Sequence, residues 1–129
     1  LNPVFVILTS GVSDTPRCMM ALGIAGSALD AGRKVAVYLD VNAPALARQD
    51  KSGKPFVAGR RTAAAKDMDA GVSLQKMLNA LTAKGAKVYV CPMCLKTLKI
   101  TPESLLDGIT ILTDKELLDL TIDATVLSY

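Results

Sequence analysis

Short apolar runs recur along the chain, and polar or glycine-containing turns separate them. Every residue of the first run, residues 3–8, is apolar, which is typical of a strand buried on both faces of a parallel sheet. Comparable runs follow Gly32 and Gly85, two residues that end helical segments. The predicted strands cover residues 3–8, 34–40, 87–91, 109–112 and 124–129.

Segments with helical signals lie between these strands. The first has cap candidates in Ser13 and Asp14, and Pro16 lies near its first turn. A later segment has apolar residues at 74, 77, 78 and 81, which share one face of a helix. The first predicted helix runs from this cap to about Ala31. The other predicted helices cover residues 43–49, 72–83, 101–106 and 113–123.

The alternation of strands and helices favours one fold class. Because a strand, helix and strand in so few residues imply a parallel crossover, we predict an α/β three-layer sandwich with a mainly parallel five-stranded sheet, in a flavodoxin-like arrangement. The 129 residues suit a single domain over residues 1–129. Open parallel sheets place their sites at the carboxyl ends of the strands.

The composition restricts the class of protein and its partners. Half of the residues are hydrophobic, a fifth are charged and Trp is absent, which is typical of a compact domain with an aliphatic core. The net charge of +3 is too small to indicate nucleic acid. The longest uncharged helical stretch, residues 18–29, is shorter than the roughly 20 residues that cross a bilayer. We therefore expect no nucleic acid and no membrane among the partners.

The cysteine count indicates the compartment. Three cysteines, two of them three residues apart, do not form a typical secreted disulfide framework and suit a reducing environment. The chain has no secretory leader pattern at its start, although it does not begin with Met, so a removed leader stays open. We expect a cytoplasmic location.

Cys91 and Cys94 are the main candidates for chemistry. Cys91 ends a predicted strand and Cys94 lies in the first turn after it, so both belong at the carboxyl edge of the sheet. The start of a helix, with Lys96 and Lys99 nearby, favours the thiolate, and we expect Cys91 to be exposed and nucleophilic. The alternative is that both thiols are small buried hydrophobes, which is the preferred interpretation of Cys18 in the apolar first helix.

A metal site and a thioredoxin-like function have less support. Structural zinc needs about four ligands, but the chain has no His and only Cys18 beyond the pair. Copper(I) held by thiolates and Met93 has weak support. The Cys-Pro-Met-Cys motif follows the third strand rather than the first, so chain order argues against the thioredoxin family. We predict no metal and no cofactor.

Four polar residues at strand ends are further pocket candidates. Ser10 and Asp14 belong to a hydroxyl-rich loop that could present N–H groups to a phosphate. Asp14 would repel a phosphate, however, so a helix cap is the preferred interpretation. Asp40 and Asn42 end the second strand at the same sheet edge as Cys91, although turn chemistry alone also places such residues there.

Residues 48–66 form a basic segment that we predict to be a flexible, exposed loop. The common explanation of such a charge run is solvation, and the alternative is a lid that attracts an anionic sulfur species or an acidic partner. Only Phe56 interleaves the charges, which argues against nucleic acid. The segment has one acidic residue, Asp50. Its basic residues are Arg48, Lys51, Lys54, Arg60, Arg61 and Lys66.

The segments VYVCPMCLKTLKITPESLLDGITI and TDKELLDLTIDATVLSY resemble the DsrE-like family of sulfur-relay proteins, whose members end in a similar strand, cysteine loop, helix and final strand. The opening VFVILTSGVSDTPRCMMALGIAGSALDAGRKVAVYLDVNA is similar to the family's first two strands and helix. The resemblance covers most of the chain except residues 48–71. This chain differs from many relatives at Leu98-Lys99, where those relatives have Arg-Gly.

This resemblance implies a sulfur carrier or sulfurtransferase with a persulfide on Cys91, and Cys94 matches a second cysteine of many relatives. Attack by Cys94 on that persulfide would expel sulfide and leave a disulfide. The implied partners are sulfur donor and acceptor proteins and further copies of the chain, as trimers or hexamers, and the apolar first helix also favours a homo-oligomer. The alternatives are a non-catalytic oligomeric binding module and a thiol redox sensor.

Overall fold

A five-stranded sheet forms the centre of the protein in a computed structural model that describes residues 1–49 and 65–129. Its strands are β1 (Val4–Leu8), β2 (Val35–Leu39), β3 (Lys87–Val90), β4 (Ile109–Ile111) and β5 (Thr125–Ser128). They lie in the order β4-β3-β2-β1-β5, and all four neighbouring pairs are parallel. The predicted α/β class and parallel sheet are confirmed.

Helices connect these strands much as the sequence predicts. The capping candidate Asp14 accepts a hydrogen bond from the backbone N–H of Arg17, 3.3 Å away, and so begins the first helix. The third helix follows Cys91 directly. The α-helices are α1 (Thr15–Asp30), α2 (Ala65–Ala83), α3 (Pro92–Thr97) and α4 (Asp114–Thr121), and short 3₁₀ helices span Val12–Asp14, Ala43–Ala47 and Pro102–Ser104.

The predicted basic loop differs from the structure at both ends. Arg48 pairs with Leu105 in an isolated antiparallel bridge, and α2 begins at Ala65 rather than at residue 72. The prediction of a loop over 48–66 is therefore wrong at its two ends. Residues 50–64, which include Arg60 and Arg61, lie outside the described part of the chain, so their predicted role in recruitment stays a prediction.

One face of the sheet forms the larger core, beneath α1 and α2. Small residues of α1, among them Ala21 and Ala25, are fully buried there, which lets the helix approach the strands closely. Leu74 and Leu78 fill the space under α2. The strand residues on this face are Val4, Val6, Leu8, Val35, Val37, Leu39, Val88 and Val90.

On the opposite face of the sheet lies α4, none of whose residues is fully buried. This helix begins with a capping box in which the Thr113 hydroxyl accepts from the backbone N–H of Glu116, at 3.3 Å, and the Glu116 carboxylate accepts from the backbone N–H of Thr113, at 3.2 Å. Leu117 packs against a second cluster that contains Phe5 and Tyr38. Helices thus lie on both faces of the sheet, as expected for three layers, although the α4 face is only partly covered, since Val126 beside Phe5 is 42% exposed. Within the described residues, no helix is long and apolar enough to cross a membrane.

The carboxyl ends of β1, β2 and β3 meet at one edge of the sheet. The backbone N–H of Asp40 donates to the carbonyl of Leu8 at 2.9 Å, and that of Cys91 donates to the carbonyl of Leu39 at 3.2 Å. Because Leu39 pairs with Val90 in the parallel register, the next residues, Asp40 and Cys91, lie side by side. This register assembles the candidate site.

Candidate functional site

Cys91 joins β3 to α3 as the N-cap residue of the helix. Its backbone is extended, with φ −76° and ψ 125°, and Pro92 follows at the first helical position, where a fixed φ favours helix formation. The backbone N–H of Leu95 donates to the Cys91 carbonyl at 3.1 Å and closes the first turn. This turn of helix brings the side chain of Cys94 next to that of Cys91.

Asp40 completes a cluster with the two cysteines. The Cys94 thiol donates to Asp40 Oδ1 at 3.2 Å. The two sulfur atoms and a carboxylate oxygen all lie within 4.8 Å of one another. The sequence places Asp40 at the correct edge of the sheet but cannot separate it from an ordinary turn residue, whereas the structure shows its contact with Cys94.

Val41 supports this cluster through its backbone. Its N–H donates to Cys94 Sγ at 3.2 Å and to Asp40 Oδ1 at 3.0 Å. Its φ is 54°, in the left-handed region, which destabilises a β-branched residue by about 1–3 kcal/mol. The sequence contains no signal for this strain, so sequence reasoning missed Val41.

Tyr38 is a second residue that the sequence did not predict for the site. It lies on β2 two residues before Asp40, which follows the strand, so both side chains point to the sheet face where Cys91 lies. Burial, followed by a hydrogen bond with Cys91, raises the pKa of Tyr38 well above its ordinary value, so the phenol stays protonated. Strand alternation and the parallel register together could have predicted this neighbour.

The predicted exposure of Cys91 is wrong. The residue is only 9% exposed because it packs in the cluster of Phe5, Tyr38 and Leu112 beneath α4. Cys94 is the more accessible of the two, at intermediate exposure. Burial, with hydrogen bonds to Cys91 and Asp40, raises the pKa of Cys94, so at neutral pH it is a thiol rather than a thiolate.

The turn after α3 is a Schellman motif. The backbone N–H of Ile100 donates to the carbonyl of Leu95 at 2.9 Å, and that of Lys99 donates to the carbonyl of Lys96 at 3.1 Å. Lys99 has φ 56°, a conformation that favours glycine. Lys99 thus occupies the left-handed position of this turn, where many relatives have the glycine of an Arg-Gly pair, a residue that adopts this conformation without strain.

The other predicted residues lie around the cluster with different roles. Asp14 caps α1 and pairs with Arg17 at 3.0 Å, and hydrogen bonds from Arg17 hold the pKa of this carboxyl below its usual range. Asn42 is exposed, and its backbone N–H donates to the carbonyl of Thr9 at 3.1 Å. Lys96 is exposed on α3. The structure thus unites Asp40 with the cysteines and places Asp14 in a helix cap.

Cys18 has the structural role that the sequence favours. It lies on the buried side of α1, and its thiol donates to the backbone carbonyls of Ser10 and Gly11, each at 3.2 Å. Burial, with a smaller contribution from the negative charge of Asp14, raises the pKa of Cys18 to about 11. Ser10 therefore contacts this thiol through its carbonyl.

Comparisons with known proteins place this fold and sequence in one group. Among solved structures, the chain is similar to the ychN protein from E. coli, with 21% identity, a TM-score of 0.61 and coverage of 98% of this chain and 99% of that one. It is also similar to the protein of unknown function MTH1491 from Methanobacterium thermoautotrophicum, with 12% identity, a TM-score of 0.67 and coverage of 98% and 96%. At these identities the likeness shows a shared fold.

None of the curated proteins matches this sequence. Residues 2–129 match the DsrE/DsrF-like family model. Because this match spans nearly the whole chain, the protein belongs to the DsrE/DsrF-like family.

Proposed function

We propose that this protein carries sulfur as a persulfide on Cys91 in sulfur trafficking. The family takes part generally in sulfur relay. The observation that carries the proposal is the pair of thiols at the carboxyl end of β3, within 4.8 Å of each other and beside Asp40. Open parallel sheets place their chemistry at this edge.

The transfer needs only thiol and persulfide chemistry. The Cys91 thiolate attacks the outer sulfur of a donor persulfide, forms a new sulfur–sulfur bond and releases the donor as a thiolate. An acceptor thiolate then attacks the terminal sulfur on Cys91, takes it as its own persulfide and returns Cys91 to the thiolate. No electrons are gained or lost overall. Donor and acceptor proteins are therefore the partners of this proposal.

Cys94 is the resolving thiol in this scheme. Its attack on Cys91 Sγ would form the Cys91–Cys94 disulfide and expel the outer sulfur as hydrosulfide, which keeps the persulfide proton, while Cys94 gives up its own proton. Because the Cys94 thiol donates to Asp40 Oδ1 at 3.2 Å, Asp40 is placed to receive that proton. The carried sulfur is thus lost as sulfide unless an acceptor takes it first.

Self-association is part of the proposal. The outer side of α1 carries exposed Met19, Met20 and Ile24, at 52%, 63% and 37% exposure. Such side chains on one helix favour contact with another copy of the chain. We expect a homo-oligomer, and the family resemblance favours a trimer or hexamer. Sedimentation as a monomer at micromolar concentration would contradict this part.

Intact-protein mass spectrometry tests the carrier function. After incubation with an inorganic polysulfide, the protein should gain the mass of one or more sulfur atoms on Cys91. Cys91→Ser should lose this gain, and Cys94→Ser should retain the adduct for longer because the resolving thiol is absent. Cys18→Ser serves as the control and should behave as the unmodified protein.

Two outcomes separate the alternatives. Sulfur retained by Cys91→Ser, or found equally on Cys18, would reject the carrier function and favour a binding module. Formation of the Cys91–Cys94 disulfide with mild oxidant, without any mass gain from polysulfide, would favour a thiol redox sensor.

A further inference from the structure

The cluster at the end of β2 and β3 contains three groups that commonly bind metal ions. Cys91 and Cys94 offer sulfur atoms and Asp40 offers a carboxylate oxygen, and these atoms lie within 4.8 Å of one another. With three cysteines and no histidine, the chain has too few thiol and imidazole ligands for a four-ligand zinc site. The register of β2 and β3 supplies Asp40 as a third ligand.

We propose that Asp40, Cys91 and Cys94 form a three-ligand site for Zn²⁺, with a fourth position open to water or a ligand from a partner. Three protein ligands with an open position are typical of zinc sites that exchange ligands, whereas structural zinc sites are closed. This proposal does not rest on the persulfide function, because it requires only the arrangement of the three side chains.

The distances suit a tetrahedral ion. Zinc–sulfur and zinc–oxygen bonds of about 2.3 and 2.0 Å place neighbouring sulfurs about 3.8 Å apart, and sulfur and oxygen about 3.5 Å apart. The observed distance from Cys94 Sγ to Asp40 Oδ1 is 3.2 Å, and no pair in the cluster exceeds 4.8 Å. Side-chain shifts of at most about 1 Å therefore create the site.

The ligand set selects the class of ion. Two thiolates exclude Mg²⁺ and Ca²⁺, which prefer sites made only of oxygen ligands. A carboxylate beside two thiolates suits zinc better than copper(I), which prefers soft ligands throughout. Both sulfurs bind zinc as thiolates, so two thiolates, one carboxylate and one divalent ion give the bound cluster a single negative charge.

Neighbouring groups already hold two of the ligands in place. The backbone N–H of Val41 donates both to Cys94 Sγ and to Asp40 Oδ1, at 3.2 and 3.0 Å. Such outer contacts orient metal ligands in proteins and reduce the reorganisation that binding requires. Because Val41 acts through its backbone, this support does not depend on its side chain.

The same sulfur atoms serve both proposals, so zinc and sulfur exclude each other. A zinc ion on Cys91 would block attack on a donor persulfide, and a persulfide or disulfide would remove a zinc ligand. We therefore expect zinc to protect Cys91 from polysulfide, and oxidation to the disulfide to abolish zinc binding.

Cobalt(II) tests the site because it occupies zinc sites and reports its ligands by absorption. The reduced protein should bind one Co²⁺ per chain with sulfur-to-cobalt charge-transfer bands in the near ultraviolet, and Zn²⁺ should displace it. Cys91→Ser and Cys94→Ser should lose most of this absorption. Asp40→Asn should bind at least about tenfold more weakly, measured by competition with a chromophoric chelator.

Matched controls separate the site from general metal binding. Cys18→Ser removes a thiol outside the cluster, and Asp30→Asn removes an exposed carboxylate at the end of α1, so both should bind as the unmodified protein does. Circular dichroism checks the fold of each variant. If Cys91→Ser fails to fold, Cys94→Ser and Asp40→Asn still decide the question, since both residues are partly exposed.

Three results would overturn the zinc site. These are the absence of a charge-transfer band, full binding by Cys94→Ser, and unchanged affinity in Asp40→Asn. A protein that gains sulfur on Cys91 but shows no cobalt band would reject this site and leave the carrier function intact. A cobalt band without any sulfur gain would support the zinc site and reject the carrier function.

Discussion

Cys18 and the Cys91–Cys94 pair place the same functional group in two different environments. Burial alone does not distinguish them, because Cys18 is fully buried and Cys91 is only 9% exposed. The difference lies in their neighbours. The Cys18 thiol, on the buried side of α1, contacts two backbone carbonyls, whereas the pair lies beside the Tyr38 phenol, the Asp40 carboxylate and the Val41 backbone N–H at the end of β2. Their neighbours, rather than their exposure, therefore distinguish the cysteine pair from Cys18.

The backbone around the two environments also differs. Cys18 lies within the regular helix α1. Within residues 1–49 and 65–129, the non-glycine residues with positive φ are Val41 and Lys99. Val41 contacts Cys94, and Lys99 ends the helix that carries it. Strained backbone is thus concentrated near the cysteine pair, as is common at functional sites.

The largest expected contrast is in thiol reactivity. At pH 8 iodoacetamide should modify Cys91 at least about a hundredfold faster than Cys18. Cys18 must first be exposed by local unfolding, and with a pKa of about 11 it is only about one-thousandth thiolate at this pH. Timed labelling followed by peptide mass spectrometry measures both rates. Equal rates would remove the distinction between the two environments.

The raised pKa of Cys18 also predicts a pH-dependent loss of stability. A thiol whose pKa is raised by folding favours the native state below the ordinary value near 9 and loses this contribution as pH rises towards 11. The two-unit difference corresponds to at most about 2.7 kcal/mol. The loss in the free energy of unfolding between pH 9 and 11 should therefore be smaller in Cys18→Ser. Urea denaturation of both proteins at each pH decides this, and identical pH profiles would contradict it.

The fold could be predicted from sequence because its signals are local. Continuous apolar strands, the Asp14 cap and the Thr113–Glu116 capping box fix most element boundaries within a few residues. The start of α2 was missed because residues 65–71 lack the apolar spacing that identifies the rest of the helix.

The site could be predicted only in part. Cys91, Cys94 and Asp40 follow from the rule that parallel strands present their carboxyl ends together. The burial of Cys91 depends on Leu112, which is distant in sequence and packs against it below α4. Tyr38 requires the strand register, and Val41 requires a backbone angle that its residue type disfavours. The strand register and this backbone angle are both features of the tertiary structure that the local sequence does not reveal.

The strain at Val41 predicts that a glycine stabilises the protein there. Val41→Gly should increase the free energy of unfolding by about 1 kcal/mol, since relief of the left-handed strain exceeds the entropy that glycine adds to the unfolded chain. The side chain is 51% exposed, so little burial is lost. The similarly exposed Val126, in extended β5, is the control, and Val126→Gly should destabilise. Urea denaturation measures both, and a loss of stability in Val41→Gly would show that Val41 is not strained.

The smallest predicted effect concerns the turn that ends α3. Lys99→Gly should stabilise the protein by about 0.5–1 kcal/mol, because Lys99 occupies the left-handed position of the Schellman motif with φ 56°. Lys96 is the matched control, since it is an exposed lysine within α3 itself, three residues before Lys99, with ordinary helical geometry. Lys96→Gly should destabilise by about 1 kcal/mol. The two substitutions remove the same side chain and charge, so opposite signs in urea denaturation isolate the backbone conformation as the cause. If both variants lose stability equally, the turn at Lys99 stores no strain, and Val41 alone distinguishes the backbone of the cysteine pair from that of Cys18.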